Sequence, residues 1–140
     1  MKVVLDSNVV ISGLFFGGVP GRILEAWHVG RFLLAVSPSI LSEYRRVGTI
    51  LSVRYPGVDV EPFIALLATH AEVVLAPELL EPAVSPDPDD DKFLACAMAV
   101  GARVVVSGDA DLLQVSGWRG IEVIRPRTFV QRYIPDADDR

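Results

Sequence analysis

The sequence predicts an α/β sandwich with a mostly parallel sheet. Short Val-rich runs such as Val3-Val4-Leu5 and Val104-Val105-Val106 recur along the chain. They lack polar alternation, as strands buried on both faces do. Helical stretches separate these runs throughout, and that alternation is the pattern of a layered α/β fold. No repeat, second domain or low-complexity linker interrupts the pattern, so residues 1–134 are expected to form one domain.

The first strand is expected over 2–6, ending in the acid Asp6. A helix over 8–16 follows and stops near Gly17-Gly18. Pro20 suits the first turn of a second helix, 20–29, whose Ile23, Leu24 and Trp27 form an apolar face and which Gly30 closes. Residues 32–36 read as strand two. Ser37-Pro38 is an N-cap with proline at the first helical position, and the helix beyond it carries Ile40, Leu41, Glu43, Tyr44 and Val47. Gly48 is expected to end or interrupt that helix. Tyr55-Pro56-Gly57 marks a turn, 59–71 a further amphipathic helix, and 72–75 strand three. The stretch 76–91 is rich in proline and acid. Its length fits a crossing from one side of the sheet to the other. A helix beginning near Pro88 runs through Phe93-Leu94-Ala95-Cys96-Ala97; it is apolar all round and expected to be deeply buried. Strand four covers 103–107, a short helix follows Asp109, strand five covers 121–124, and 126–134 is a last helix. Residues 135–140 make an acidic tail, expected to be solvated and flexible.

Composition narrows the function. With 140 residues, 51% hydrophobic and 22% charged, the chain can bury a real core and is not of the disordered class. Its net charge of −5 argues against a simple basic patch as the whole basis of nucleic-acid binding. Clustered carboxylates can still hold cations that reverse the local sign. Cys96 stands alone, so no intramolecular disulfide forms, which fits a cytoplasmic setting. Asp6, Ser7 and Asn8 cut the first apolar run, so no secretory signal is read there. No stretch approaches the ~18–20 apolar residues of a membrane span, and no membrane partner is expected.

Function is expected where strands end. In open parallel sheets the crevice lies beyond the carboxyl ends of the strands, at the reversal of strand order. Asp6 follows strand one and Asp109 follows strand four, and the long 76–91 crossing would make those strands neighbours. Glu43 lies on the helix after strand two. Asp91 lies in the first turn of the buried helix, on one face with Asp87 and Ala95, which points it inward. Four acids in one crevice repel each other. Either some take up protons, or a hard cation with oxygen ligands, Mg²⁺ or Mn²⁺, sits among them. Asn8 and Ser107 are placed to orient the carboxylates. Each acid also has a plainer reading. Asp6 and Asp109 are good N-caps, Glu43 could face solvent, and Asp87, Asp89 and Asp90 could be caps or solvated charge. Asp111 is a second-rank site candidate. His28 and His70 fall on unrelated helices, and Cys96 reads as core.

Four segments in order carry a resemblance: Val4-Leu5-Asp6-Ser7-Asn8, Ser37-Pro38-Ser39-Ile40-Leu41-Ser42-Glu43-Tyr44, Asp87-Pro88-Asp89-Asp90-Asp91-Lys92-Phe93-Leu94-Ala95, and Val106-Ser107-Gly108-Asp109-Ala110-Asp111-Leu112. Together they resemble the PIN-domain nucleases, and most closely the toxin components of bacterial and archaeal toxin–antitoxin pairs (VapC-like), over essentially residues 1–130. The resemblance implies a three-layer Rossmann-like sandwich with sheet order 3-2-1-4-5. It implies a divalent-metal-dependent endoribonuclease using Mg²⁺ or Mn²⁺, with Asp6, Glu43, Asp91 and Asp109 as acidic quartet and Asn8 and Ser107 in support. Asp90 is an adjacent alternative to Asp91, because three successive acids leave the match open by one. The implied chemistry is hydrolysis of an RNA phosphodiester to a 5′-phosphate and a 3′-hydroxyl by metal-activated water. Arg45, Arg46 and Arg54 are candidates for RNA-backbone contacts or an exposed helix face. The implied partners are RNA, an antitoxin and a second copy in a homodimer. Gly108 stands where the family often has Asn or Arg, which loosens contacts next to Asp109. The alternatives are a solitary RNA-processing nuclease, a catalytically silent PIN-fold binding or regulatory module, and phosphoryl transfer on the same architecture with Asp6 as nucleophile. The last lacks a second acid where Asn8 stands and a Lys closing a later strand.

Overall fold

The computed structural model describes residues 1–135. Of the acidic tail expected over 135–140 to be flexible, the residues from Asp136 onward lie outside the described residues. Five parallel strands, β1 (Lys2–Leu5), β2 (Leu33–Val36), β3 (Glu72–Val73), β4 (Val104–Val106) and β5 (Glu122–Ile124), form one sheet in the order β3-β2-β1-β4-β5. This is the order the resemblance implies. Helices flank it: α1 (Ser7–Phe16), α2 (Gly18–His28), α3 (Pro38–Arg54), α4 (Glu61–His70), α5 (Asp91–Val100), α6 (Ala110–Leu113) and α7 (Pro126–Tyr133).

The central strands are buried on both faces: Val3, Val4, Leu5, Val105 and Val106 have no exposed surface. That is why they read as unbroken apolar runs. β3 is shorter than the expected 72–75. It is an edge strand with Val73 47% exposed, so it has one neighbour, β2, and no second layer of pairing to extend it. α5 packs across β1, β2 and β4, and its Asp91–Ala97 segment is buried throughout. α1 packs on α2 and α3, and α2 packs on α7. Phe32 and Phe129 meet edge to face, with ring centroids 5.3 Å apart.

α3 does not stop at Gly48; it runs on to Arg54. A Cβ at Gly48 would lie 2.7 Å from Val60 Cγ1, so the missing side chain serves the close approach of the segment entering α4. The α3 N-terminus is as expected, with Ser37 Oγ accepting from Ile40 N at 3.3 Å and Pro38 in the first turn. The Tyr44 hydroxyl donates to the Leu5 carbonyl, tying the Glu43 turn of α3 to the carboxyl end of β1. Among the described residues no single helix is long and apolar enough to cross a membrane.

Candidate metal centre

β1 lies between β2 and β4, so the chain leaves it in opposite directions and opens a crevice at the carboxyl ends of β1 and β4. The Asp6 N–H donates to the Val106 carbonyl at 2.9 Å, which carries Asp6 alongside Ser107. The Asp6 side chain is buried, and its Oδ2 accepts from Ser107 Oγ at 2.6 Å. Asp6 stands at the N-cap of α1, yet its side chain makes no cap hydrogen bond. Capping therefore does not account for it. Burial raises its pKa. The Ser107 bond opposes that rise, and the charges of Asp109 and Glu43 add to it.

Ser107 has a second role. Its Oγ accepts from Asp109 N at 2.9 Å, so one fully buried hydroxyl sets the positions of two acids. Asp109 caps α6 by accepting from Asp111 N at 3.0 Å. Its carboxylate also joins those of Asp90 and Asp111, and the three offer oxygens within 4.8 Å of one another. Here capping and clustering coexist in one side chain.

The acid that the turn entering α5 contributes to this cluster is Asp90, not Asp91. Pro88–Asp90 forms a 3₁₀ turn, capped by Asp87 accepting from Asp89 N at 3.1 Å, and delivers Asp90 to the crevice. Asp91 is fully buried and turned to the preceding loop. Its Oδ1 accepts from Ser85 N at 2.8 Å and its Oδ2 from Val84 N at 2.9 Å. It points inward, as its helical face required, but both oxygens are spent on backbone amides.

Asp90 Oδ2 is buried and has no hydrogen-bond partner among the described residues. Burial, then a hydrogen bond shared with the Asp109 carboxyl, then the charges of Asp109, Asp6 and Asp87, push the Asp90 pKa up to about 8. Hard cations take such oxygens. An octahedral Mg²⁺ with bonds of ~2.1 Å spaces its ligands by at most ~4.2 Å. The donors of Asp90, Asp109 and Asp111, all within 4.8 Å of one another, lie near that spacing, and Asp6 is close enough for its charge to act on Asp90.

Glu43 is also near enough for its charge to act on Asp6, but its own carboxylate is engaged elsewhere. Ser7 Oγ donates to its Oε2, Lys92 Nζ lies 2.7 Å from its Oε1, and Arg46 lies 3.8 Å away. Lys92 also pairs with Asp89 at 3.2 Å. Burial lowers the Lys92 pKa, but the carboxylates of Glu43 and Asp89 outweigh burial and leave it raised. Reading the acids alone misses Lys92. Its trace in the sequence is a lone cation two residues into a buried apolar helix, where it is costly unless paired.

Asn8, expected beside the carboxylates, is exposed and makes no hydrogen bond to them among the described residues. α1 starts at Ser7 and not at residue 8, so Ser7 turns inward and Asn8 outward. Arg45 is engaged by Glu61 at 3.0 Å, while Arg54 is exposed at the far end of α3. His28 and His70 line an apolar cavity of about 290 Å³ with Trp27, Phe32 and Leu66, beside the amino end of β2. Burial, with Glu72 adding, pushes the Cys96 thiol up to about 12, which fits a core residue.

A family model described as "PIN domain" matches residues 2–111. An uncharacterized protein of Methanocaldococcus jannaschii, MJ1680, is 32% identical over 118 residues, covering 82% of this chain and 75% of that protein.

Proposed function

The chain belongs to the PIN-domain family, whose members are metal-dependent nucleases, and we propose that it is an endoribonuclease cleaving RNA phosphodiesters with Mg²⁺ or Mn²⁺. The observation that carries this reading is the Asp90–Asp109–Asp111 cluster, whose Asp90 also has a buried oxygen, Oδ2, without a hydrogen-bond partner among the described residues. Asp90, Asp109 and Asp111 would hold the ion, with Asp6 adjoining. A bound divalent ion supplies a Lewis acid and a water acidified toward neutral pH.

The chain's own groups do the remaining work. Ser107 fixes the Asp6 carboxylate and the Asp109 backbone in one register. Asp109, through its cap bond to Asp111 N, holds the α6 turn against the cluster. Exposed Arg46 borders the crevice and offers a cationic contact for a phosphate. The order of the four acidic segments supports a finer reading: the toxin of a toxin–antitoxin pair, held by a partner segment laid across the acidic groove, and working as a homodimer in the cytoplasm. The solitary RNA-processing nuclease is the alternative.

The deciding experiment incubates the purified protein with single-stranded RNA, structured RNA and single-stranded DNA, in Mn²⁺ and in EDTA, beside Asp6→Asn and Asp90→Asn. RNA cleavage that needs Mn²⁺ and disappears in both folded variants is the expected result. Cleavage of DNA alone would overturn the substrate assignment. Full activity in Asp90→Asn would overturn the site. Co-expression with the neighbouring reading frame tests the toxin reading, since an antitoxin must co-purify and silence the cleavage.

A further inference from the structure

Asp6 feels the charges of both Asp109 and Glu43, and these two neighbours are in opposite electrical conditions. On one side, Asp90, Asp109 and Asp111 crowd together with a buried oxygen unpartnered. On the other, Glu43 has both oxygens occupied, Oε1 by Lys92 and Oε2 by Ser7, with Arg46 near by. We propose that Lys92 is a built-in cation filling the Glu43 side, so that the crevice takes one divalent ion, on the Asp90–Asp109–Asp111 side, and not two. This rests on the reading of the crevice as a divalent-ion site and specifies how many ions it holds and where.

The argument is one of charge and room. An ion coordinated by Glu43 would have to share its carboxylate with an ammonium 2.7 Å from Oε1. Two cations that close repel strongly in a partly dry crevice. The ammonium has little freedom to yield. Its side chain is 5% exposed, it leaves the second residue of buried α5, and Asp89 holds it from the other side at 3.2 Å. Arg46 differs, being 63% exposed and 3.8 Å away, so it can swing aside. Lys92 therefore acts as a positioning residue. It pins Glu43, and through Glu43 the Ser7 hydroxyl at the start of α1, and leaves the Asp90 cluster uncompensated.

The test counts ions on the full chain. Mn²⁺ is titrated into the metal-free protein by calorimetry, with free Mn²⁺ followed by electron paramagnetic resonance. The wild type should bind one ion at the crevice, and Lys92→Met should bind two. Glu43→Gln should keep one ion with affinity within about threefold, while Asp90→Asn should lose about tenfold or more. Two ions in the wild type overturn the proposal and leave the divalent-ion reading standing. No ion in the wild type overturns that reading and this proposal with it. One ion in folded Lys92→Met overturns the part given to the ammonium. Should Lys92→Met fail to fold, the wild-type count and the Glu43→Gln affinity decide the matter without it.

Discussion

At the entry to α5, one peptide bond separates two carboxylates in opposite conditions. Asp91 is fully buried, and both its oxygens are filled by the amides of Val84 and Ser85. Asp90 is half-buried, and one of its oxygens lies buried without a partner beside Asp109. The first carboxylate is part of the scaffold: it fastens the end of the long crossing to the helix that fills the core. The second is held where burial and the neighbouring carboxyls disfavour its charge. Burial alone does not distinguish structural from functional acids, for the more buried of the two is the structural one. What distinguishes them is whether the protein supplies the hydrogen bonds.

Substitutions at these two positions should part company. Asp91→Ala leaves two amides without their acceptor and removes two charge-assisted hydrogen bonds. It should cost about 3 kcal/mol or more of stability, read as a lowered midpoint in urea. A variant that keeps its midpoint and loses only cleavage would place Asp91 in the crevice after all. Asp90→Asn should do the reverse, abolishing Mn²⁺-dependent cleavage while the metal-free protein melts no lower than wild type near neutral pH. Loss of fold in Asp90→Asn would erase the contrast.

Acidity gives a subtler test. Burial and the neighbouring carboxyls push the Asp90 carboxyl up to about 8 in the folded protein, from an ordinary value of 3.8. Across that window the folded state holds a proton that the unfolded chain has released, so stability falls as pH rises. The melting temperature of metal-free protein should decline from about pH 5 to about pH 8, and Asp90→Asn should flatten the slope. A melting temperature that climbs over that interval in the wild type would contradict the assignment. The smallest effect is expected at Ser107→Ala, about 1 kcal/mol for the lost bond to Asp6, with cleavage reduced about tenfold by loosened support. An unchanged rate would show that Asp6 keeps its place without the hydroxyl.

Much of this architecture could be read from the chain because parallel strands buried on two sides leave a simple trace. Val3–Leu5 and Val104–Val106 are apolar throughout since neither face meets water. The crevice was legible to the same degree, as acids at strand ends. Where reading the sequence misplaced residues, the shift was one position along a helix, which rotates a side chain by ~100°. α1 begins at Ser7, so Ser7 and not Asn8 faces Glu43. The 3₁₀ turn before α5 sends Asp90 to the cluster and Asp91 to the loop, a choice made by backbone angles that three successive acids cannot reveal. Gly48 looked like a helix end but marks a close approach to Val60, a contact between distant segments. Lys92 was legible in principle, but its partners, Glu43 and Asp89, emerge only once α3 and α5 are packed.

The pairing of β1 with β4 has a consequence during synthesis. Asp6 leaves the ribosome well before the hydroxyl that seats it, on Ser107, which follows 101 residues later. At roughly 5–20 residues per second, that interval is about 5–20 seconds. Throughout it, β1 has its β2 neighbour available but no β4, and the emerging polypeptide owns only half of its acidic crevice. The crevice is therefore completed only when Ser107 and Asp109 join Asp6, late in the synthesis of the sheet.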